Sequence, residues 1–318
     1  MKRLRNTLAA IACTLACATA VAQGYPSKPI RLVVPFPPGG TVDIAARALG
    51  PALSDILGQP IVVDNKGGAG GIIGADQVAK SKPDGYTLLM GSNSSLTVAA
   101  ALNPATPFDP SKDFAPVSLV SSTPFVLVVH PSVPAHSVQE LVALGKAKPG
   151  QLTMASGGVG HLVGELFQSN TGAKFLHVPF QGVGPATVAL MGGQVDLMFE
   201  QLATSAGPAK SGKTRALAVT SATRNPQLPD VPTAAEAGVS NYVVESITGI
   251  LAPAGTPPDI IERLNKAIVQ ALAMPATRER FAAVSLTATP STPAQFGDYI
   301  RNDLERWKKV VKDANIKP

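Results

Sequence analysis

The chain has 318 residues, of which 45% are hydrophobic and only 15% are charged, and it contains 29 glycines and 29 prolines. This composition is typical of a globular protein with many turns and argues against a disordered tail or a coiled coil. Only 5% of the residues are aromatic, which argues against a stacking platform for single-stranded nucleic acid. The length fits two domains of ordinary size.

The first 22 residues have the pattern of an export signal. Three basic residues within the first five positions precede an apolar run at 8–21, and small residues at 20–22 predict cleavage after Ala22. Cleavage would remove both cysteines, Cys13 and Cys17, so we expect no disulfide and no thiol chemistry in the mature chain. Lipidation at Cys17 is an alternative, but the residues before it match that motif poorly. The pattern predicts a periplasmic protein.

Export also reduces the positive charge. The formal net charge of the whole chain is +6, and three of the 27 Lys and Arg but none of the 21 Asp and Glu lie in the signal, which leaves +3. The densest basic cluster lies at 306–312, on a predicted amphipathic helix, where a solvated face is expected. We therefore expect no nucleic-acid partner, while a mild positive excess is compatible with anionic ligands.

Short apolar runs alternate with segments of helical periodicity along the mature chain. The predicted strands are 30–36, 60–64, 87–91, 125–130, 152–156, 175–180, 195–200, 215–220 and 244–251. The predicted helices are 43–57, 71–80, 138–146, 161–170, 185–191, 259–273 and 294–314. This alternation predicts an α/β fold with parallel sheets covered on both faces, with 103–124 as a crossover and 238–249 as the return.

Three predicted strands lead into a glycine-rich turn that opens a helix. The first turn contains Gly39 and Gly40, followed by Thr41 and Asp43. The two glycines let a ligand approach the backbone, and the free N–H groups of the following helix favour an anion. Asp43 could contact a ligand or only cap the turn.

The other two turns, at 65–74 and 156–161, lead into predicted helices. The glycines in and after each turn have the spacing G-x-G-x-x-x-G. This pattern is one residue longer than the dinucleotide fingerprint and lacks the acidic residue expected after the next strand. We therefore retain an anion-binding helix start and exclude a nucleotide. His161, at the start of its predicted helix, could contact a ligand or have a packing role.

Motifs for catalysis and for metal binding are missing from the sequence. The four histidines have no metal-ligand spacing, and no nucleophile motif is present. Glu200 ends a predicted strand without a paired carboxylate, so it either faces a cleft and contacts a ligand or caps the next helix. We expect no enzymatic activity, no cofactor and no metal.

Several motifs together resemble the Bug family, the extracytoplasmic solute receptors of tripartite tricarboxylate transporters. They are PFPPGGTVDIAAR at 35–47, NKGGAGG at 65–71, PDGYTLL at 83–89, HVPF at 177–180, GGQVDLMF at 192–199, RALAVT at 215–220, LPDVPT at 228–233 and LAPAGTP at 251–257. The resemblance covers nearly all of the mature chain, with the motifs in order.

The resemblance implies a fold like that of type II periplasmic binding proteins, with two α/β lobes and a ligand cleft between them. We expect the signal at 1–22, lobe 1 at 23–123 plus 245–318, and lobe 2 at 124–244. The implied ligand is a small carboxylate, such as a di- or tricarboxylate, an amino acid or an aromatic acid, held largely by backbone amides and ordered waters. The implied partners are integral-membrane transporter subunits or a sensor protein, and we expect a monomer.

Carried over position by position, the resemblance implies ligand-binding residues in both lobes. In lobe 1 these are Phe36, Gly39, Gly40, Thr41, Asp43, Ala69, Gly70, Ser92 and Asn93. In lobe 2 they are Ser156, Gly157, Gly158, His161, Phe180, Gly182 and Glu200.

The sequence departs from the family pattern in two places. Glu200 stands where the family often has Asp, and 246–251 lacks the aromatic residues that the family often has there. The identity of the ligand therefore does not transfer from a relative. Two alternative functions stay open: an exported enzyme that acts on a small acid, with Asp43, Glu200 or His161 as its base, and an exported structural module.

Overall fold

The computed structural model describes residues 24–156, 159–180, 183–314 and 316. The predicted export signal and three residues of the predicted site, Gly157, Gly158 and Gly182, lie outside the described residues. None of the helices described is long and apolar enough to cross a membrane.

Strands and helices alternate through most of the described chain. The strands are β1 (Ile30–Val34), β2 (Ile61–Asn65), β3 (Thr87–Ser92), β4 (Phe114–Val129), β5 (Thr153–Ser156), β6 (Leu176–Pro179), β7 (Leu197–Gln201), β8 (Arg215–Val219), β9 (Glu245–Pro253) and β10 (Thr287–Ala288). The helices are α1 (Thr41–Leu57), α2 (Ile72–Ala79), α3 (Ala99–Leu102), α4 (Val138–Ala147), α5 (Gly160–Thr171), α6 (Val183–Met191), α7 (Leu202–Lys210), α8 (Pro258–Ala273), α9 (Pro275–Ala283) and α10 (Pro293–Asp313).

The strands form a sheet in the order β2-β1-β3-β9-β4-β7-β5-β6, and β8 and β10 also pair with β4. Strand β4 belongs to two parts of this sheet. Its residues 114–124 pair with β9, and its residues 125–129 pair with β7 and β8. We call β1–β3, β9 and the first part of β4 the first sheet segment. The second sheet segment consists of β5–β8 and the last part of β4.

The prediction of parallel sheets holds for only part of each segment. Strand β1 runs parallel to β2 and β3, and β5 runs parallel to β6 and β7. Strand β9, however, is antiparallel to β3 and β4, and β4 is antiparallel to β7 and β8. The reason is connectivity: β4 carries the chain from the first segment to the second, and β9 carries it back beside β4.

The strand prediction missed the first part of β4, which begins at Phe114 inside the predicted crossover at 103–124. Pro116, Pro124 and several serines in this stretch are poor strand formers and hide the strand. The structure accommodates them with register shifts between Pro116 and Ser118 and between Leu119 and Ser121. Helices α3, α7 and α9 were also not predicted.

The C-terminal helix α10 connects the cores of the two segments. Thr292 and Gln295 form a capping box at its start, which satisfies N–H groups that lack partners in the first turn. Phe296 lies in a core of the first segment, and Trp307 lies in the core of the second together with Phe167. The helix, which also packs against β4, therefore links the cores of the two segments.

A substitution at Gly74 tests how closely helix α2 packs against the first two glycine-rich turns. A Cβ atom there would lie 2.6 Å from the Lys66 carbonyl oxygen and 2.9 Å from Pro35 Cα, so backbone would have to move. We expect Gly74→Ala to lower the free energy of unfolding by about 1–3 kcal/mol in urea titrations. Gly50→Ala, where the same atom meets nothing within 4 Å, is the matched control and should be neutral or stabilising by up to about 1 kcal/mol. Equal stability of the two variants would contradict this packing.

Candidate functional site

A cleft with a volume of about 690 Å³ lies where the two sheet segments meet. The first segment and its connections contribute one wall, lined by Phe36, Pro37, Pro38, Gly39, Gly40, Thr41, Val42, Ile44, Ser92, Ser94, Ser246, Thr248, Ala283, Val284 and Ser285. The second contributes Val183, Glu200, Gln201, Ala203 and Thr204. The cleft thus lies beyond the carboxyl ends of parallel strands β1, β3 and β7, the usual ligand position in α/β sheets.

The first glycine-rich turn forms one end of the cleft. Helix α1 begins at Thr41 with Gly40 as its N-cap, and no side chain caps it. Gly39 has φ of +85°, a conformation that side chains rarely adopt. The first N–H groups of a helix have no partner within the helix, so this 17-residue helix presents free donors and the positive end of its dipole to the cleft.

Asp43 lies behind this turn and is not part of the cleft lining. Its carboxylate accepts hydrogen bonds from the Gly39 N–H (2.9 Å), from Arg47 Nε (3.0 Å) and from Asn65 Nδ2 (3.0 Å). Burial by itself raises the pKa of Asp43, but the hydrogen bonds from Arg47, Gly39 and Asn65 outweigh it and hold the pKa below its usual range. In this arrangement the Asp43 carboxylate shapes the turn from within the first segment.

The remaining predicted residues of the first segment divide into two groups. Ser92 lines the cleft, and Asn93 is buried beside it, with Nδ2 donating to the Glu245 carbonyl oxygen at 3.1 Å. The Asn93 Oδ1 atom has no hydrogen-bond partner in the described part of the chain. Ala69 and Gly70 are exposed in a short turn after β2 and do not line the cleft.

The structure brings Ser156, His161 and Phe180 together at the carboxyl ends of β5 and β6. The Ser156 hydroxyl lies 2.7 Å from His177 Nε2, and the Phe180 N–H donates to the Ser156 carbonyl oxygen at 2.8 Å. The imidazole rings of His161 and His177 stack with centroids 3.6 Å apart. Burial, followed by repulsion from His161, lowers the pKa of His177 to about 4, so His177 is neutral at neutral pH. These residues do not line the described cleft.

Glu200 is the acidic residue of the cleft. It is only 5% exposed, and its Oε1 accepts hydrogen bonds from the Gln201 N–H (2.8 Å) and the Thr204 hydroxyl (2.7 Å). Burial raises the pKa of Glu200 to about 7, although these two hydrogen bonds lower it. The N-cap residue of α7 is Gln201, and no side chain caps that helix, so Glu200 does not form the predicted cap. Glu200 does line the cleft.

Gln201 connects the two walls of the cleft and was not predicted. The Thr41 hydroxyl donates to Gln201 Oε1 at 2.8 Å, and Gln201 Nε2 donates to the Ser246 hydroxyl at 3.1 Å. One amide at the end of β7 therefore binds the start of α1 and the start of β9. The sequence signal was weak, since Gln201 is simply the residue after a predicted strand.

Hydroxyl groups of the lining were also missed by the sequence analysis. They belong to Ser94, Thr204, Ser246, Thr248 and Ser285. Ser246 and Thr248 alternate along β9, as neighbours on one face of a strand do, and this spacing was the available signal. In the described residues no cluster of three His, Cys, Asp or Glu side chains could hold a metal ion.

The Thr41–Gln201 hydrogen bond can be measured by a double-mutant cycle. Thr41→Val and Gln201→Ala each remove one partner, and we expect a coupling energy of about 0.5–1.5 kcal/mol in the free energy of unfolding. Thr41→Val combined with Gln139→Ala, whose amide binds Ala237 on another part of the chain, is the additive control. A coupling of zero in the first cycle would exclude the bond in solution.

The buried Glu200 carboxyl predicts a specific pH dependence of stability. Because its folded pKa of about 7 exceeds the ordinary 4.5, the unfolded chain loses this proton first, and stability decreases as the pH rises from about 4.5 to about 7. We expect Glu200→Gln to be more stabilising at pH 8 than at pH 5, by on the order of 2–3 kcal/mol, in urea titrations of ligand-free protein. Glu279→Gln, at an exposed position, corrects for the loss of one surface charge. A stability difference that is the same at both pH values would refute the prediction.

Comparisons with known proteins identify the family. The model of the tripartite tricarboxylate transporter family receptor matches residues 45–316. The protein BugT of Bordetella pertussis is 42% identical over 322 residues, which cover 100% of this chain and 99% of BugT.

Solved structures agree with this match. A structure described as that of a periplasmic transporter is 41% identical, with a TM-score of 0.81, over 92% of this chain and 99% of the other. An R. palustris protein with adipate is 34% identical, with a TM-score of 0.82 over 92% and 99% of the two chains. MatC from Rhodopseudomonas palustris with bound malate is 34% identical, with a TM-score of 0.78 over 90% and 100%.

These neighbours confirm the predicted fold class, an α/β periplasmic binding protein with two lobes and a cleft between them. They also confirm the resemblance on which that prediction depended. Because the family model matches residues 45–316, which are most of the chain, the chain belongs to the tripartite tricarboxylate transporter receptor family. Members of this family include the Bug proteins.

Proposed function

We propose that this chain is a periplasmic receptor that binds a small carboxylate in the cleft between its lobes and delivers it to a tripartite tricarboxylate-type membrane transporter. The cleft at the start of α1 is the observation that carries the proposal. It combines free helix N–H groups with the hydroxyls of Ser92 and Ser246, which are suitable donors to a carboxylate. Related proteins that were solved with adipate and malate support the same class of ligand.

The ligand-binding residues proposed in the first lobe are those of the turn and the strand end beside it. Phe36, Gly39, Gly40, Thr41 and Ser92 line the cleft. Asp43, Ala69, Gly70 and Asn93 belong to the proposed set as well but lie outside this lining, and Asp43 accepts a hydrogen bond from the Gly39 N–H. In the second lobe, Glu200 lines the cleft directly.

The other proposed ligand-binding residues of the second lobe follow β5 and β6. Ser156, His161 and Phe180 flank Gly157, Gly158 and Gly182, and they all follow the carboxyl ends of parallel strands. Closure of the lobes on a ligand would bring these residues toward the cleft. Closure would also create a joint surface of both lobes that a transporter subunit could recognise.

Lobe boundaries and location are part of the same proposal. We assign residues 23–123 plus 245–318 to lobe 1 and 124–244 to lobe 2, because β4 leaves the first sheet segment after Pro124 and β9 re-enters it at Glu245. We assign 1–22 to a signal peptide that is cleaved after Ala22 on export. Transfer of the ligand to a sensor protein instead of a transporter is compatible with the same cleft.

Thermal unfolding with a panel of acids tests the proposal. The mature chain is unfolded and refolded to remove any bound ligand and is then mixed with di- and tricarboxylates, amino acids and aromatic acids. A ligand at 100 times its dissociation constant stabilises the folded state by about 2.7 kcal/mol, which should raise the midpoint by several degrees. We expect Ser246→Ala, which removes a lining hydroxyl, to weaken binding about tenfold, the value of one hydrogen bond to a charged group.

Ser111→Ala, at an exposed position away from the cleft, is the control and should bind like the wild type. Recovery of the acid unchanged after incubation supports a receptor. Catalytic conversion of the acid would instead support an enzyme with Glu200 or His161 as its base. If no acid raises the midpoint after refolding, the carboxylate assignment is wrong.

A further inference from the structure

The ionisable side chains of the cleft restrict which acid it can hold. Among the described residues that line it, Glu200 is the only one with an ionisable side chain, and Lys, Arg and His are absent from that lining. The wall elements α1, β3, α6, α7, β9 and α9 contribute backbone, hydroxyl and apolar groups there. The nearby Asp43 is paired with Arg47 behind the turn, and Glu245 is likewise not part of the lining. Whenever Glu200 is ionised, a ligand with two negative charges would therefore meet a third negative charge and no cationic side chain in the described lining.

One oxygen of Glu200 is free to interact with a ligand. Oε1 is occupied by the Gln201 N–H and the Thr204 hydroxyl, whereas no hydrogen bond from a described residue reaches Oε2. The side chain as a whole is almost completely buried, being only 5% exposed. A buried carboxylate without a cation is costly, and a cationic group beside it offsets the cost.

The cleft therefore has two ends of opposite polarity. The start of α1 at Thr41 favours a negative group, and Glu200 on the other lobe favours a positive one. A dicarboxylate would satisfy only the first end, whereas a molecule with a carboxylate and a protonated amine would satisfy both.

We propose that the ligand is a zwitterion, a small carboxylate that also carries a protonated amine, and that Glu200 Oε2 selects it by accepting a hydrogen bond from that amine. This proposal depends on the proposed function and specifies its ligand class. A cation beside Glu200 favours the ionised carboxylate, so zwitterion binding should release a proton near neutral pH. A second carboxylate in the same place would favour the protonated form and take up a proton.

Calorimetry with matched pairs of ligands tests the proposal. Ligand-free protein at pH 7 is titrated with each of the twenty common L-amino acids and with the acid that lacks the amine, for example glutamate against glutarate and aspartate against succinate. We expect the best amino acid to bind at least tenfold more tightly than its deaminated counterpart. Titration in buffers with different ionisation enthalpies should show proton release.

The Glu200→Gln variant is the matched control. Its amide oxygen can still accept from Gln201 and Thr204, so the local fold is kept while the negative charge is removed. In the variant, we expect the affinity ratio between the amino acid and its deaminated counterpart to fall at least tenfold. We also expect the proton release to disappear.

The outcomes separate this inference from the proposed function. If carboxylates bind but the amine gives no advantage, or if a dicarboxylate or hydroxy acid binds more tightly with proton uptake, the zwitterion assignment is wrong and the receptor function stands. If neither member of any pair binds, the zwitterion assignment is wrong, and the wider panel of acids in thermal unfolding decides whether the receptor function is wrong as well. If the Glu200→Gln variant keeps the same preference for the amine, Glu200 does not determine the ligand specificity.

Discussion

The architecture depends on the antiparallel pairing of β4 with β9, since these adjacent strands carry the chain from one lobe to the other and back. The pairing extends from Phe114 opposite Pro253 to Pro124 opposite Glu245, and nearly all of its residues are buried. Because a long paired ladder resists sliding, even with its two register shifts, we expect relative motion of the lobes to occur as a bend at its end. Ser246 lies at that end and lines the cleft, so a bend there changes the width of the ligand site directly.

Helix α10 also limits the relative motion of the two lobes, because its residues lie in the cores of both sheet segments. It is a stiff element about 31 Å long, with Phe296 in one core and Trp307 in the other. Between them, Asp303 accepts hydrogen bonds from the Thr97 hydroxyl at 2.5 Å and from Arg306. Bending of the lobes must therefore be taken up by small shifts of side chains along this helix, which favours a closure of limited amplitude.

Sequence patterns were informative where one physical signal dominated. The regular apolar spacing of 259–273 gave α8 to within one residue, and glycines 39 and 40 correctly indicated a turn before a helix at the edge of a cleft. Strand β4 was half missed because register shifts and pairing with β9, which are long-range effects, override the poor strand propensity of its prolines. Gln201 was missed for a related reason, since its partners Thr41 and Ser246 are far away in the sequence.

The end of β7 combines two tasks in consecutive residues. Gln201 binds Thr41 across the cleft, so it contributes to the arrangement of the lobes in this structure, and its N–H also donates to Glu200 Oε1. Any shift of Gln201 during opening would therefore move the Glu200 carboxylate and change its solvation. Conversely, a cation that stabilises the ionised Glu200 in its buried position favours the arrangement in which Gln201 reaches Thr41. The charge of the ligand and the closure of the cleft are coupled through this strand end, because a ligand shifts a conformational equilibrium only by its different affinity for the two states.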